Sequence, residues 1–170
     1  MMQQSPALKS PSLRAESVAA LGVFGALTAG AGALGAVVTN HGTQRWYRRL
    51  RKPPFQPPNA VFGPVWTVLY SLIALSGWRV WNQPAGPARS RALGLWALQL
   101  GFNAAWTWLF FGKRLKRTAL ADIGALGTSI AAYMAAARKV DRPAAALVAP
   151  YLGWVCFASV LNEELVRRNP

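Results

Sequence analysis

One cysteine, one histidine and five acidic residues are all that this 170-residue chain offers to redox, metal and acid–base chemistry. A lone cysteine, Cys156, excludes an intrachain disulfide, and its apolar surroundings give it the character of a small buried hydrophobe. His41 stands at a helix edge with no carboxylate or thiol nearby, so it reads as a loop histidine without metal partners. Charged residues make up only 14% of the chain, against about 25% in soluble domains. There is no HExxH pair, no GxSxG elbow, no phosphate loop and no pair of central carboxylates. Hydrolytic and metal-dependent catalysis have no residues to use, and an ion pump lacks its row of buried acids. Asp122 is the one acid inside an apolar run; a helix-end ion pair is its expected role.

What is present is apolar and aromatic. Hydrophobic residues are 53% of the chain and eight are tryptophan. Five apolar segments cover about residues 18–39, 60–81, 93–111, 119–137 and 144–166. Each is near 20 residues, which at about 1.5 Å per residue matches a hydrocarbon core of about 30 Å. Backbone groups cannot face lipid unpaired and no alternating strand pattern exists, so the segments are expected to be helices. The fold class predicted is an all-α integral membrane protein: a single bundle of five transmembrane helices within residues 17–167. A flexible tail over 1–16 precedes it, and a proline-rich lid loop fills 41–59. Arg14 ahead of the stretch holding Ala31-Gly32-Ala33 has the look of a cleavable signal, but the apolar run continues to Val38. A signal core is about 7–15 residues, so a retained first helix is expected.

The formal charge of +14 lies between the apolar runs and not in a nucleic-acid-binding patch. Eleven cations follow the first and third segments or the last, and seven flank the other ends. The positive-inside bias predicts a cytoplasmic first loop and C-terminus. The general character points to a bacterial cell envelope membrane, with membrane lipid as one partner.

Pro84, Gly86 and Pro87 separate the second and third segments, Pro143 starts the fifth, and Pro150 should kink it. Such a bend wraps either a ligand or a neighbouring helix. Gly22, Gly25, Gly30, Gly32 and Gly35 in the first segment, with Ala97-xxx-Gly101 and Gly101-xxx-Ala105 in the third, allow close helix approach within one bundle or in a homodimer. The run from Trp46 to Pro58 combines Trp46, Tyr47 and Phe55 with four cations and two proline pairs. It reads either as a stiff strap closing a cavity or as an interfacial loop anchored by its rings.

Polar groups inside the spans are few. Gln99, Asn103 and Trp106 share one side of the third segment. Trp66 and Tyr70 are spaced i,i+4, and Tyr151 and Trp154 i,i+3. Buried amides need partners, so Asn103 and Asn162 are expected to point inward, toward one another or backbone, or toward a flat ligand stacked on indoles.

These residues carry a resemblance. Trp46-Tyr47-xx-Leu50-x-Lys52-Pro53-Pro54-xx-Pro57-Pro58, Phe62-x-Pro64-Val65-Trp66-xx-Leu69-Tyr70, Gln99-xxx-Asn103-xx-Trp106 with Phe110-Phe111-Gly112, and Pro150-Tyr151-xx-Trp154-xx-Phe157-Ala158-xx-Leu161-Asn162 occur in order. Ala119-Leu120-x-Asp122 adds a thinner match. The chain resembles the tryptophan-rich sensory protein family, called translocator protein or peripheral benzodiazepine receptor in animals. The resemblance implies a five-helix protein, commonly homodimeric, that binds porphyrins and other tetrapyrroles, sterols and drug-like ligands beneath the first loop. It implies no obligatory cofactor, with protoporphyrin IX or a haem-like ring as ligand. Trp46 and Tyr47 would lie at the strap, Trp66, Tyr70, Asn103 and Trp106 on the walls, and Tyr151, Trp154, Phe157, Ala158 and Asn162 on the last helix. Ala158 matches a small position whose enlargement would reshape the pocket. A sensor or carrier role is implied first; light- or oxygen-driven porphyrin breakdown and sterol or porphyrin transport are the alternatives. Two departures stand out. Leu161-Asn162-Glu163-Glu164-Leu165-Val166-Arg167 lacks the tyrosine of the sterol-associated pattern, which argues against strong cholesterol binding. Trp108 stands where many relatives carry a small residue or proline.

Overall fold

The computed structural model of the chain describes residues 11–39 and 41–170, in which the regular structure is helical throughout. Residues 1–10 of the expected tail and the His41 side chain lie outside the described residues. Helix α1 spans Pro11–Val38, so it starts within the stretch read as tail. Then come α2 (His41–Arg49), α3 (Asn59–Trp81) and α4 (Pro87–Thr107), which runs into a π-helical turn at Trp108–Gly112. Helices α5 (Lys116–Arg138), α6 (Arg142–Leu147) and α7 (Ala149–Arg168) complete the bundle.

Among the described residues, four stretches are long and apolar enough to cross a bilayer: Arg14–Val38, Asn59–Trp81, Lys116–Arg138 and Arg142–Arg168. This is an all-α multi-pass membrane bundle, but four stretches and not the expected five meet that standard. The exception is α4. Arg89 and Arg91 occupy its first turns, and Gln99 and Asn103 are buried along its length.

Hydrogen bonds at the two ends establish the alternating directions. At one end the Trp78 indole donates to the Ser17 carbonyl at 2.8 Å, and Arg79 pairs with Asp141 at 3.1 Å. At the other, the Arg51 amide donates to the Asn169 side chain at 2.9 Å, and Asn169 returns a bond to the Arg51 carbonyl at 3.1 Å. The Lys116 ammonium donates to the Asn169 carbonyl oxygen beside them.

Ile73, Val80, Ala92, Ile130, Tyr133, Ala144 and Tyr151 form the fully buried centre. The Ser76 and Tyr133 hydroxyls there are paired, as lipid-embedded packing demands, whereas Gln99 Oε1 is buried without a partner. The Ser76 hydroxyl lies 2.6 Å from the Tyr133 hydroxyl and donates to the Ala144 carbonyl at 2.7 Å. Gly77 lies where α3 meets Phe24 and Trp96; an added Cβ would come within 2.6 Å of the phenyl ring.

Three local readings change. Pro150 does more than kink the last segment: the chain breaks at Val148 between α6 and α7, and Pro150 falls in the first turn of α7, where its missing N–H leaves no bond unmade. Cys156 is exposed on α7 and not buried, since it lies on the outward side of the helix. Asp122 makes no ion pair among the described residues, and its Oδ2 is buried without a partner. Arg117, one residue into α5, is exposed; at five residues' spacing the two side chains do not share a helix face.

Candidate ligand cavity

A cavity of about 510 Å³ opens between α1, α3, α4, the π turn, α5 and α7, with α2 across its end. The strap is not extended throughout. Residues 41–49 form the amphipathic helix α2, because the prolines constrain only themselves and the residue before each. The extended part begins at Arg51, with a turn closed by the Gln56 amide on the Pro53 carbonyl at 3.1 Å.

Helix α2 is seated by its rings. Trp46 meets Phe110 edge-on at 5.8 Å, and Tyr47 meets Phe111 at 5.6 Å. Burial raises the Tyr47 phenol above its ordinary value of 10.0, so it stays an uncharged donor. Thr43 Oγ1 donates to the Phe111 carbonyl at 3.5 Å. Lys52 covers the other side of the Tyr47 ring at 4.6 Å.

The walls are built from three indoles and several phenyl rings. On α3, Phe62, Trp66 and Tyr70 occur one turn apart and all line the cavity, with Trp66 stacked on Tyr70 at 5.2 Å. Trp106 from α4 stacks on Phe110 at 5.2 Å and 14°. Trp154, Ala158, Leu161, Asn162 and Leu165 bring the inner face of α7. Gly32 lets α1 come close to Tyr70: a Cβ there would sit 3.1 Å from the ring. The polar lining gathers at the α2 end, as Thr39, Gln44, Arg48 and Asn59.

Seven of the expected site residues therefore line the space: Tyr47, Trp66, Tyr70, Trp106, Trp154, Ala158 and Asn162. Four do not. Trp46 packs behind Phe110 with the Arg114 guanidinium 5.7 Å over its ring. Phe157 lies between Trp154 and Phe55 of the strap. Asn103 and Tyr151 are buried behind the wall: the Tyr70 hydroxyl donates to Asn103 Oδ1 at 2.7 Å, and Asn103 Nδ2 donates to the Tyr151 hydroxyl at 3.0 Å. Both polar ends of Asn103 are thus used inside the protein. Sequence reasoning missed Gln44, Arg48, Asn59, Phe62, Phe110, Phe111 and Leu165. Phe62 was recoverable, being one turn before Trp66; nothing in the basic run distinguished Arg48 from its neighbours.

Two wall atoms are left over. Trp106 Nε1–H and Asn162 Oδ1 are buried and unpartnered, while Asn162 Nδ2 donates to the Lys116 carbonyl at 3.2 Å. One is a donor and the other an acceptor, each costing about 1–3 kcal/mol while unmet.

The tryptophans thus divide by task. Trp66, Trp106 and Trp154 line the cavity. Trp78 and Trp96 tie helices together, the latter donating to the Ile73 carbonyl at 2.9 Å. Trp81 and Trp108 are exposed at opposite ends of the bundle, under Arg89 and Lys113, where interfacial anchors belong.

The model of the TspO/MBR family matches residues 24–168. The chain belongs to that family. It is 40% identical over 140 residues to the translocator protein of Bos taurus, covering 81% of this chain and 83% of that one. A tryptophan-rich sensory protein of Cereibacter sphaeroides is 42% identical over 124 residues, 73% and 77% of the two chains. A tryptophan-rich protein of Archaeoglobus fulgidus is 38% identical over 138 residues, 81% and 89%. Membership accords with an apolar-ligand cavity in a membrane bundle, and the matched region takes in every element that lines it.

Proposed function

We propose that this TspO/MBR member is a membrane sensor or carrier that binds a porphyrin or related tetrapyrrole in the cavity under α2. The observation that carries the reading is the pairing of three indole walls with a single lining arginine, Arg48, at the α2 end. Indoles stack on a planar apolar ring, and a guanidinium suits a carboxylate edge. The volume of about 510 Å³ is in the range of small-molecule sites, about 300–1,000 Å³.

In this reading α4 crosses the bilayer as a fifth span, α2 faces the cytoplasm, and the outward Gly94, Ala97 and Gly101 side of α4 is a homodimer seam. The open space around Gly94 and Gly101 supports the last point.

Titration of the reconstituted protein with protoporphyrin IX tests the function. Tryptophan emission should be quenched saturably, and Trp66→Phe and Trp154→Phe should each weaken binding more than Trp78→Phe. Equal responses from the three variants would reject the cavity as the site.

A further inference from the structure

The cations of α2 are not all at the cavity. Arg48 borders it, whereas Arg45 and Arg49, spaced i,i+4, are exposed and do not line it. Lys113, Arg114 and Arg117 are exposed just beyond the π turn against which α2 packs. Among the described residues none of these five has a carboxylate partner. Glu164 is taken by Arg167 and Arg168, and the exposed Glu163 beside it pairs with none of the five. A dense, uncompensated positive surface therefore covers the lid, at the level where the α1 and α3 spans end.

We propose that the outward side of α2, with Lys113, Arg114 and Arg117 beside it, docks the phosphate headgroups of anionic phospholipid, and that this contact holds α2 down over the cavity. The occupant follows from charge and depth. The Trp46 and Tyr47 rings of α2 are already spent on Phe110 and Phe111, so among its described residues the helix meets a bilayer by charge. Inward, α2 is held by the packing of Trp46 and Tyr47 on the Phe110 cluster and by the buried Thr43. Attraction to anionic headgroups, about fivefold in occupancy per cation, adds to that hold. Lid closure then depends on the composition of the surrounding leaflet, and so does the exchange of any guest beneath it.

Hydrogen–deuterium exchange of the α2 amides tests this without a guest. The protein is placed in nanodiscs of phosphatidylcholine alone, or of phosphatidylcholine with one-third phosphatidylglycerol. Phosphatidylglycerol should slow α2 exchange about fivefold or more. The Arg45→Gln/Arg49→Gln variant should lose most of that slowing, and Arg45→Lys/Arg49→Lys should recover it. Equal wild-type exchange in the two bilayers would overturn the proposal, as would full protection in the glutamine variant. The consequence for guest exchange rests on the ligand reading above. If protoporphyrin IX quenches in neither bilayer, that reading fails while the amide result still decides the lipid contact.

Discussion

The Tyr70 hydroxyl donates a 2.7 Å hydrogen bond to Asn103, so a residue that lines the cavity is fixed by one that does not. Asn103 in turn holds Tyr151, and through it the start of α7. The three side chains join α3, α4 and α7 at mid-bundle.

Asn103→Leu should therefore act on stability and on the site together. It strands the buried Tyr151 hydroxyl, at a cost of about 1–3 kcal/mol, and frees the half-buried Tyr70 hydroxyl at the cavity wall. Thermal unfolding in detergent should shift clearly downward, and protoporphyrin IX affinity should fall because Tyr70 and the Trp66 stacked on it lose their anchor. An unchanged melting profile would show that the chain Tyr70–Asn103–Tyr151 does not exist.

Ala158 makes the opposite prediction. Its side chain borders open cavity, so Ala158→Leu fills space and should leave melting unchanged or slightly raised. Ligand affinity should fall about tenfold, or roughly 1.4 kcal/mol. Retained affinity in the quenching titration would place the guest elsewhere.

Arg48 can be separated from its neighbours by the ligand's own charge. Arg48→Gln should weaken protoporphyrin IX binding several-fold and leave its dimethyl ester unaffected, because the ester has no carboxylate to pair. Arg45→Gln, away from the cavity, should leave both affinities in detergent unchanged. Equal loss for acid and ester would mean that Arg48 acts through α2 packing and not through charge.

Gly77 tests the core. A methyl group there meets the Phe24 ring at 2.6 Å and Trp96 Nε1 at 2.7 Å. Gly77→Ala should cost about 1–3 kcal/mol by overpacking. Gly153→Ala on α7, with open space around the site, should leave stability unchanged or raise it by up to about 1 kcal/mol. Matching unfolding curves for the two variants would refute the close approach.

The sequence made the helices legible because lipid leaves the backbone few options, and of the side-chain pairs read from helical spacing Trp66 and Tyr70 meet on the wall. Tyr151, paired by spacing with Trp154, is buried behind the wall. What stayed hidden depends on registration between elements distant in the chain. Asn103 has the composition of a ligand contact, but the Tyr70 hydroxyl on another helix reaches it first. Arg48 is one of five cations within eight residues, and only the rotation of α2 about its axis brings it to the cavity. The proline pairs made the whole first loop look extended, although their steric reach stops one residue upstream. Asp141 gave no sign of its part: it caps α6 through the Ala144 amide at 2.9 Å while accepting from Arg79 and Gln83.

The π turn at Trp108–Gly112, closed by the Lys113 amide on the Trp108 carbonyl at 2.9 Å, has one residue more than an α-helical turn would hold. Each residue of a regular helix advances about 100° around its axis. Removing Leu109 from this turn would rotate the residues after it by that angle relative to α4 and carry the Phe110–Phe111 pair off the wall. The aromatic end of the chamber thus exists by virtue of one supernumerary amino acid, and a one-codon deletion there would dismantle it while leaving every indole in the chain intact.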